Sequence, residues 1–253
     1  MSKRKEFGIC HICGQYGKLT REHIPPQSTF NAMRQKLCSV DTLLQTSSHD
    51  NLPPWDQSGL KYEQFQSGVE FSTLCGKCNS FTGGKYGIEY SKVVQGIGYE
   101  ILKLPKEKRR GLVTFRIQNV SVLAFFKQII SMFCSINTPQ FGEQFRDYLL
   151  NENSTNFDSS QYRVFTYLHS GRVVRYVPLQ GQLNIKNGKT TLFSEISTFP
   201  MGFILYVLTE KTTGDFYGCD ITSFSTQSFL RNAQMPIPFL TCNTPFGLDF
   251  RDF

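Results

Sequence analysis

Apolar residues recur at helical spacing in the middle of the 253-residue chain. Between Tyr86 and Leu104 they fall mostly three or four positions apart, which predicts an amphipathic helix that ends before Pro105. Val120–Ile136 is apolar almost throughout and therefore predicts a buried helix. Pro139 then begins a shorter amphipathic segment, since Pro favours the first turn of a helix.

Short apolar runs separated by turn residues follow in the last hundred residues. The separators Ser170-Gly171, Asn187-Gly188 and Thr213-Gly214-Asp215 are typical of turns between antiparallel strands. Two helices followed by an antiparallel meander predict an α+β domain over residues 120–253. The runs that predict its strands are Tyr162–Leu168, Arg172–Leu179, Gln182–Lys186, Thr190–Ile196, Phe203–Thr209 and Phe216–Ile221.

The first part of the chain differs in composition and in hydrophobic pattern, which predicts a separate domain over residues 1–104. It is rich in Cys, His, Gly and Pro and contains few periodic segments. Residues 38–68 are mostly polar and include Pro53-Pro54, so we expect a long insertion there. Residues 105–119 begin with the basic cluster Lys106–Arg110 and predict a linker.

The composition excludes a disordered chain, because 23 Phe and 11 Tyr provide ample material for a core. The longest clean apolar run, Met201–Leu208, is far shorter than the roughly 20 residues that cross a bilayer. The basic start at Lys3–Lys5 leads into polar residues, unlike a secretory signal. We therefore expect a soluble, cytoplasmic protein without membrane contact.

Positive charge is concentrated in two blocks. The net charge of +7 resolves into +5 in residues 1–36, −3 in 37–100, +5 in 101–119 and zero in 120–253. Concentrated positive charge favours binding to a polyanion, because each neutralised phosphate releases counterions. A solvated basic face is the alternative explanation.

Four of the eight cysteines form two Cys-x-x-Cys pairs, Cys10/Cys13 and Cys75/Cys78. This spacing lets both sulfurs of a pair face one tetrahedral ion, and a Gly beside each pair permits the tight turn. We therefore predict a structural zinc site with four thiolate ligands. The other cysteines have no paired spacing and are expected to be small core residues.

Three ordered motifs resemble a known family. Cys10-His11-Ile12-Cys13-Gly14, Leu19-Thr20-Arg21-Glu22-His23-Ile24-Pro25-Pro26 and Leu74-Cys75-Gly76-Lys77-Cys78-Asn79-Ser80 are together similar to HNH endonucleases of the zinc-knuckle type. The resemblance covers about the first ninety residues. It implies a ββα-metal fold, in which two antiparallel strands and a helix surround one catalytic divalent cation.

The resemblance also implies roles for three residues. His23 would be the general base that takes a proton from water, and Glu22 and Asn79 would bind a catalytic Mg²⁺ or Mn²⁺. Imidazole changes charge near neutral pH, and hard cations prefer oxygen ligands, so these residue types suit the chemistry. The chain departs from the family at Glu22, where Asp is usual, and at Glu70, which replaces a structural Asn of the motif.

The sequence thus predicts a metal-dependent endonuclease that hydrolyses phosphodiester bonds, with double-stranded DNA as its partner. Candidate phosphate contacts are Arg21, Arg34, Lys77 and Lys85. A bacterial defence or restriction-type effector is one hypothesis for the whole chain, with residues 120–253 as a sensor or as a surface for a partner protein or a second copy. The alternative is a non-catalytic zinc module that binds nucleic acid or protein.

Overall fold

The computed structural model of the protein describes residues 6–50, 60–171, 173–184, 188–210 and 216–250. Within these ranges the chain is a mixed α+β protein with antiparallel sheets, as the sequence predicts. The elements of the first part are β1 (Phe7–Ile9), β2 (Tyr16–His23), β3 (Gln35–Leu37), α1 (Val40–Asp50), β4 (Glu63–Phe65), β5 (Glu70–Cys75), α2 (Gly76–Lys85) and α3 (Gly87–Lys103).

The first sheet has the strand order β1-β2-β5, and both pairings are antiparallel. α2 begins directly after β5, at Gly76, and packs against both β2 and β5. β2 and the continuous β5–α2 segment are far apart in sequence and meet in one unit. The predicted insertion 38–68 contains α1 and the β3–β4 hairpin, so part of this polar segment has regular structure.

The second part contains the main sheet. Its elements are β6 (Leu112–Val120), α4 (Val122–Ile136), α5 (Pro139–Glu143), α6 (Arg146–Leu150), β7 (Tyr162–Leu168), β8 (Arg175–Asn184), β9 (Lys189–Ser197), β10 (Met201–Val207), β11 (Cys219–Asp220) and β12 (Leu230–Pro238). Strands β7 to β11 form one antiparallel sheet with the order β11-β7-β10-β9-β8. Predicted strand segments match its members, but two of them join into the long β8. Of the predicted turns, Asn187 and Thr213–Asp215 lie outside the described residues.

The expected linker 105–119 is mostly a strand. β6 pairs antiparallel with β12 along its whole length, from Leu112 opposite Pro238 to Val120 opposite Leu230. One face of β6 is buried through Phe115, Ile117 and Val120. In the sequence this strand directly follows the basic cluster Lys106–Arg110, which indicated a linker; Arg116 fits the alternation, because it lies on the exposed face between Phe115 and Ile117.

One apolar core joins the two predicted domains. α4 is buried along nearly its whole length and contacts α2, α3, β5, β8 and β9. The same cluster of buried residues includes Ile12 and Leu74 from the first part and Phe133 and Phe203 from the second. The boundary expected between residues 104 and 120 therefore crosses a shared core. In the described ranges, no helix has the length and hydropathy of a membrane span.

Candidate functional site

The thiol groups of the two Cys-x-x-Cys pairs come together. The sulfurs of Cys10, Cys13, Cys75 and Cys78 all lie within 4.8 Å of one another, so the group could hold a metal ion such as zinc. Gly14 has a φ of 71°, a conformation that glycine adopts without strain. The first pair lies in the turn after β1, and the second spans the junction of β5 and α2. A bound ion would therefore clip the β1–β2 hairpin to the start of α2.

The cluster favours the thiolate form of Cys10. The pKa of the Cys10 thiol is lowered, chiefly because the Cys78 thiol hydrogen-bonds to it, while the pKa of Cys78 is raised by the same hydrogen bond and that of Cys13 is raised by burial. Arg146 of α6 donates from Nε to the carbonyl of Ile12 at 3.4 Å, which brings a positive charge close to the first pair. Thiolates are the ligand form that zinc requires.

Glu22 lies on the buried face of β2, opposite Phe71 of β5. Its Oε1 accepts hydrogen bonds from the Thr73 hydroxyl at 2.8 Å and from the Ser135 hydroxyl of α4. Burial raises the pKa of this carboxyl to about 7, and the two hydroxyl donors offset part of the rise. Among the described residues, no hydrogen bond reaches Oε2. One oxygen is therefore fixed by the fold and the other is unused.

His23 is the last residue of β2 and lies opposite Glu70. Its Nε2 is buried and has no hydrogen-bond partner in the described part of the chain. A buried ring nitrogen without a partner is uncommon in folded proteins, and a catalytic role is one of the known reasons for it. The next residue is held firmly, because the carbonyl of Ile24 accepts a hydrogen bond from the Tyr176 hydroxyl at 2.7 Å.

Asn31 fixes the backbone that follows His23. Its amide nitrogen donates to the carbonyls of Pro25 at 2.7 Å and Val69 at 3.0 Å, and its oxygen accepts from the amide of Val69 at 2.8 Å. A side chain on Gly68 would clash with the carbonyl of Asn31, so this approach requires glycine. Asn31 thus ties the end of β2 to the start of β5. The family resemblance would assign this structural role to an Asn at position 70, where the chain has Glu70.

Asn79 is held in the first turn of α2 by β2. Its amide nitrogen donates to Thr20 Oγ1 at 3.1 Å and to the carbonyl of Arg21 at 3.0 Å. Both amide hydrogens therefore point at β2, and the amide oxygen on the other side of the planar group points away from these two acceptors. Asn79 thus lies beside the part of β2 that directly precedes Glu22 and His23, and no hydrogen bond of the described residues joins any two of these three side chains.

The four predicted phosphate contacts divide into two groups. Arg21 forms an ion pair with Glu70, and Lys85 forms one with Glu152 at 2.8 Å. Arg34 and Lys77 are exposed and form no ion pair within the described part of the chain. The latter two are therefore the basic side chains that are free to meet a ligand.

Sequence reasoning missed Thr73, Ser135 and Asn31. Ser135 comes from a helix more than a hundred residues away from Glu22, so no local motif connects them. One signal was present in α4: the polar residues Gln128, Ser131 and Ser135 share one side of an otherwise apolar helix, three and four residues apart. Polar residues on a buried helix indicate a buried polar contact.

A cleft of about 1390 Å³ lies elsewhere, between the β3–β4 region and β8. Phe71, Tyr176 and Arg175 line it, whereas Glu22, His23 and Asn79 do not.

Comparisons of the chain with family models, with curated proteins and with solved structures find no match.

Proposed function

We propose that the protein is a metal-dependent endonuclease of the HNH type that hydrolyses duplex DNA, with a ββα-metal unit formed by β2, β5 and α2. One observation carries the proposal: Asn79 is hydrogen-bonded to β2 at Thr20 and Arg21, directly before Glu22 and His23, and each of the three side chains has a polar atom without a partner among the described residues. Hydrogen bonds hold Oε1 of Glu22 and the amide nitrogen of Asn79 in place. The chain after His23 is held by the hydrogen bond from Tyr176 to the carbonyl of Ile24. Such preorganisation is what a catalytic site requires.

The donor set fits a hard divalent cation. Oε2 of Glu22 and Oδ1 of Asn79 are the oxygen ligands that Mg²⁺ and Mn²⁺ prefer. The hydroxyls of Thr73 and Ser135 would orient the carboxylate from behind, as outer partners of metal ligands commonly do. A nearby cation would also favour the ionised form of Glu22, which burial alone disfavours. When bound, the ion would stabilise the charge on the pentacovalent phosphorus and on the leaving oxygen.

His23 supplies the proton acceptor. Its imidazole takes a proton from a water molecule, the water oxygen attacks phosphorus, and the phosphodiester P–O bond opposite it breaks, so that the leaving oxygen departs with the bonding electron pair and is protonated by solvent. Asn31 and Tyr176 keep the chain after His23 in place, so the imidazole keeps its position while the substrate is bound. Arg34 and Lys77 contact the phosphates on either side of the bond that is cut.

The four-cysteine site has a structural role in this proposal. Four thiolates complete a tetrahedral zinc shell and leave no position for water or substrate. A zinc ion held by the four cysteines would keep Asn79, which directly follows Cys78, against the strand that carries Glu22 and His23. A role in bacterial defence, with the second part of the chain as a sensor, rests on analogy at the level of the fold alone.

A matched pair of histidine variants tests the proposal. We expect purified protein with Mg²⁺ or Mn²⁺ to nick supercoiled plasmid, and His23→Gln to reduce the rate at least about 100-fold, since it removes a general base. His11→Gln is the control, because a Gln amide can still donate to the carbonyl of Cys134 that His11 Nδ1 contacts at 3.0 Å. Zinc content should equal one per chain in all three proteins.

The two other outcomes decide against the proposal. If the original protein and His23→Gln both fail to cut with any divalent ion but retain DNA equally, the protein is a non-catalytic zinc module that binds nucleic acid. If His23→Gln and His11→Gln cut as fast as the original protein, the catalytic base lies elsewhere.

A further inference from the structure

β6 and β12 form a two-stranded ribbon that lies outside the five-stranded sheet. Its inner face is apolar and buried through Phe115, Ile117, Met235 and Ile237. Its outer face therefore consists of the alternate positions of both strands. The ribbon is firmly attached to the molecule, and its outer face is exposed.

The outer face of the ribbon carries amide and guanidinium groups at its centre. Arg116 lies opposite Gln234, and Gln118 lies opposite Asn232. All four residues are exposed. None of their side chains forms a hydrogen bond or an ion pair with the described part of the protein. Side chains of opposite residues in an antiparallel pair lie on the same face, so the four form one contiguous polar surface.

The charge of the ribbon suits nucleic acid. Neither strand contains Asp or Glu, although the chain has 20 such residues. A basic turn directly precedes β6, in which Lys106, Lys108 and Arg110 are exposed, whereas Arg109 folds back onto the carbonyl of Leu104 at 3.1 Å. The ribbon thus offers base-reading side chains in the middle and phosphate-binding side chains at one end.

We propose that this outer face lies in the major groove of duplex DNA and reads base edges, while Lys108 and Arg110 bind the flanking phosphates. The major groove of B-DNA admits a two-stranded ribbon. Arg pairs with guanine there, and Asn and Gln pair with adenine. The inference rests on the proposed function only in taking duplex DNA as the substrate. It adds that the enzyme is sequence-selective, with Arg116, Gln118, Asn232 and Gln234 as the specificity-determining residues.

The shape of the ribbon also separates DNA from double-stranded RNA. The major groove of A-form RNA is too deep and narrow for protein elements to read. The proposal therefore requires binding to DNA duplexes in preference to RNA duplexes of the same sequence.

Selection from a randomised duplex pool tests the proposal, with full-length His23→Gln protein so that the DNA is not cut. We expect enrichment of a short motif. Arg116→Lys keeps the charge but loses the bidentate hydrogen bond to guanine. The preference for guanine at one position of the motif should therefore fall about tenfold, while the salt dependence of DNA binding stays unchanged. Gln182→Ala, at an exposed position of β8, is the control and should leave the motif intact.

Variants of the basic turn should behave differently. Lys108→Ala and Arg110→Ala should weaken binding to all sequences alike, and each should lower the slope of log affinity against log salt by about one. Thermal melting of each variant excludes an effect of misfolding.

Three outcomes overturn the inference: no enriched motif, an identical motif for Arg116→Lys, or equal binding of RNA duplexes. If the original protein nicks plasmid in a His23-dependent manner but enriches no motif, the ribbon proposal fails and the nuclease proposal stands. If a motif that depends on Arg116 is enriched but no divalent ion supports cutting, the reading ribbon stands and the nuclease proposal fails.

Discussion

At the scale of single residues, the position of the Glu22 carboxylate depends on two hydroxyl groups. Thr73 belongs to the neighbouring strand, whereas Ser135 belongs to α4 of the second part. A buried carboxylate without such donors would lose both its orientation and part of its ionised population. The catalytic role proposed for Glu22 therefore depends on Thr73 and Ser135, which do not touch the substrate themselves.

Replacing Ser135 should weaken cutting without removing it. We expect Ser135→Ala to lower the plasmid nicking rate about tenfold, the range typical for outer partners of metal ligands. Ser131→Ala is the matched control, because Ser131 lies one turn earlier on α4 and its hydroxyl has no partner in the described part of the chain. Nicking rates at several Mn²⁺ concentrations measure the effect. Equal losses in both variants would show that Ser135 acts only through the packing of α4.

His169 should make stability depend on pH. Burial, helped by Arg175, lowers the pKa of this imidazole from 6.5 to about 4, so the folded protein keeps it neutral while the unfolded chain protonates it below pH 6.5. The unfolded state then binds more protons, and stability falls as the pH drops from about 6.5 to 4. Relative to His169→Gln, the free energy of unfolding should fall by about 2 kcal/mol between pH 7.5 and 5, measured with urea. Parallel pH dependence in both proteins would contradict this.

At the scale of elements, the four thiols bring the turn of the β1–β2 hairpin to the start of α2. Phe7, Ile9 and Tyr16 of the hairpin strands are exposed, whereas Ile12 in the turn between them is buried in the shared core. A zinc ion would supply that connection, since metal binding free energy acts as folding free energy.

Removing one thiol should therefore destabilise the protein strongly. We expect Cys78→Ser to lose bound zinc and to lower the melting temperature by roughly 10 °C, given about 2–4 °C per kcal/mol in a chain of this size. Cys38→Ser is the control, because Cys38 is exposed and outside the cluster. Zinc content and melting curves of both variants decide the matter. Unchanged melting of Cys78→Ser would mean that the cluster carries no structural ion.

The sequence predicted some elements well and others poorly, for physical reasons. α3, α4 and the central strands β7 and β10 have clear apolar periodicity, and the structure has them close to the expected bounds. The Cys-x-x-Cys spacing likewise predicted which sulfurs meet. β6 was missed because the basic cluster before it indicated a linker, and β12 was missed because it contains Pro236 and Pro238, which argue against a strand. Their pairing spans more than a hundred residues, which no local pattern encodes. The contacts of Asn31 and Ser135 with the site escaped for the same reason.

At the scale of the whole molecule, the shared core makes the unit of β2, β5 and α2 dependent on the rest of the chain. α4 packs against β5 and contacts Glu22 through Ser135, and α3 buries Val93, Ile97 and Ile101 in the same core. Removing the second part would expose this apolar surface to water and leave Glu22 without Ser135.

A truncated chain ending at Arg110 should consequently fail to fold. We expect it to bind zinc weakly, to lack a cooperative thermal transition and to be digested by protease within minutes, whereas the full chain resists. Circular dichroism melting and limited proteolysis of the two proteins measure this. A cooperative transition with one zinc per truncated chain would show that residues 1–110 form an independent domain.

The presence of a divalent ion between β2 and α2 is the central claim, and anomalous scattering from crystals soaked in MnCl₂ tests it most directly. We expect two peaks, a zinc ion among the four cysteine sulfurs and a manganese ion about 2.0–2.4 Å from Oε2 of Glu22 and Oδ1 of Asn79. A zinc peak alone, with Glu22 still bound to Ser135 and Thr73 and nothing beside Asn79, would contradict the account.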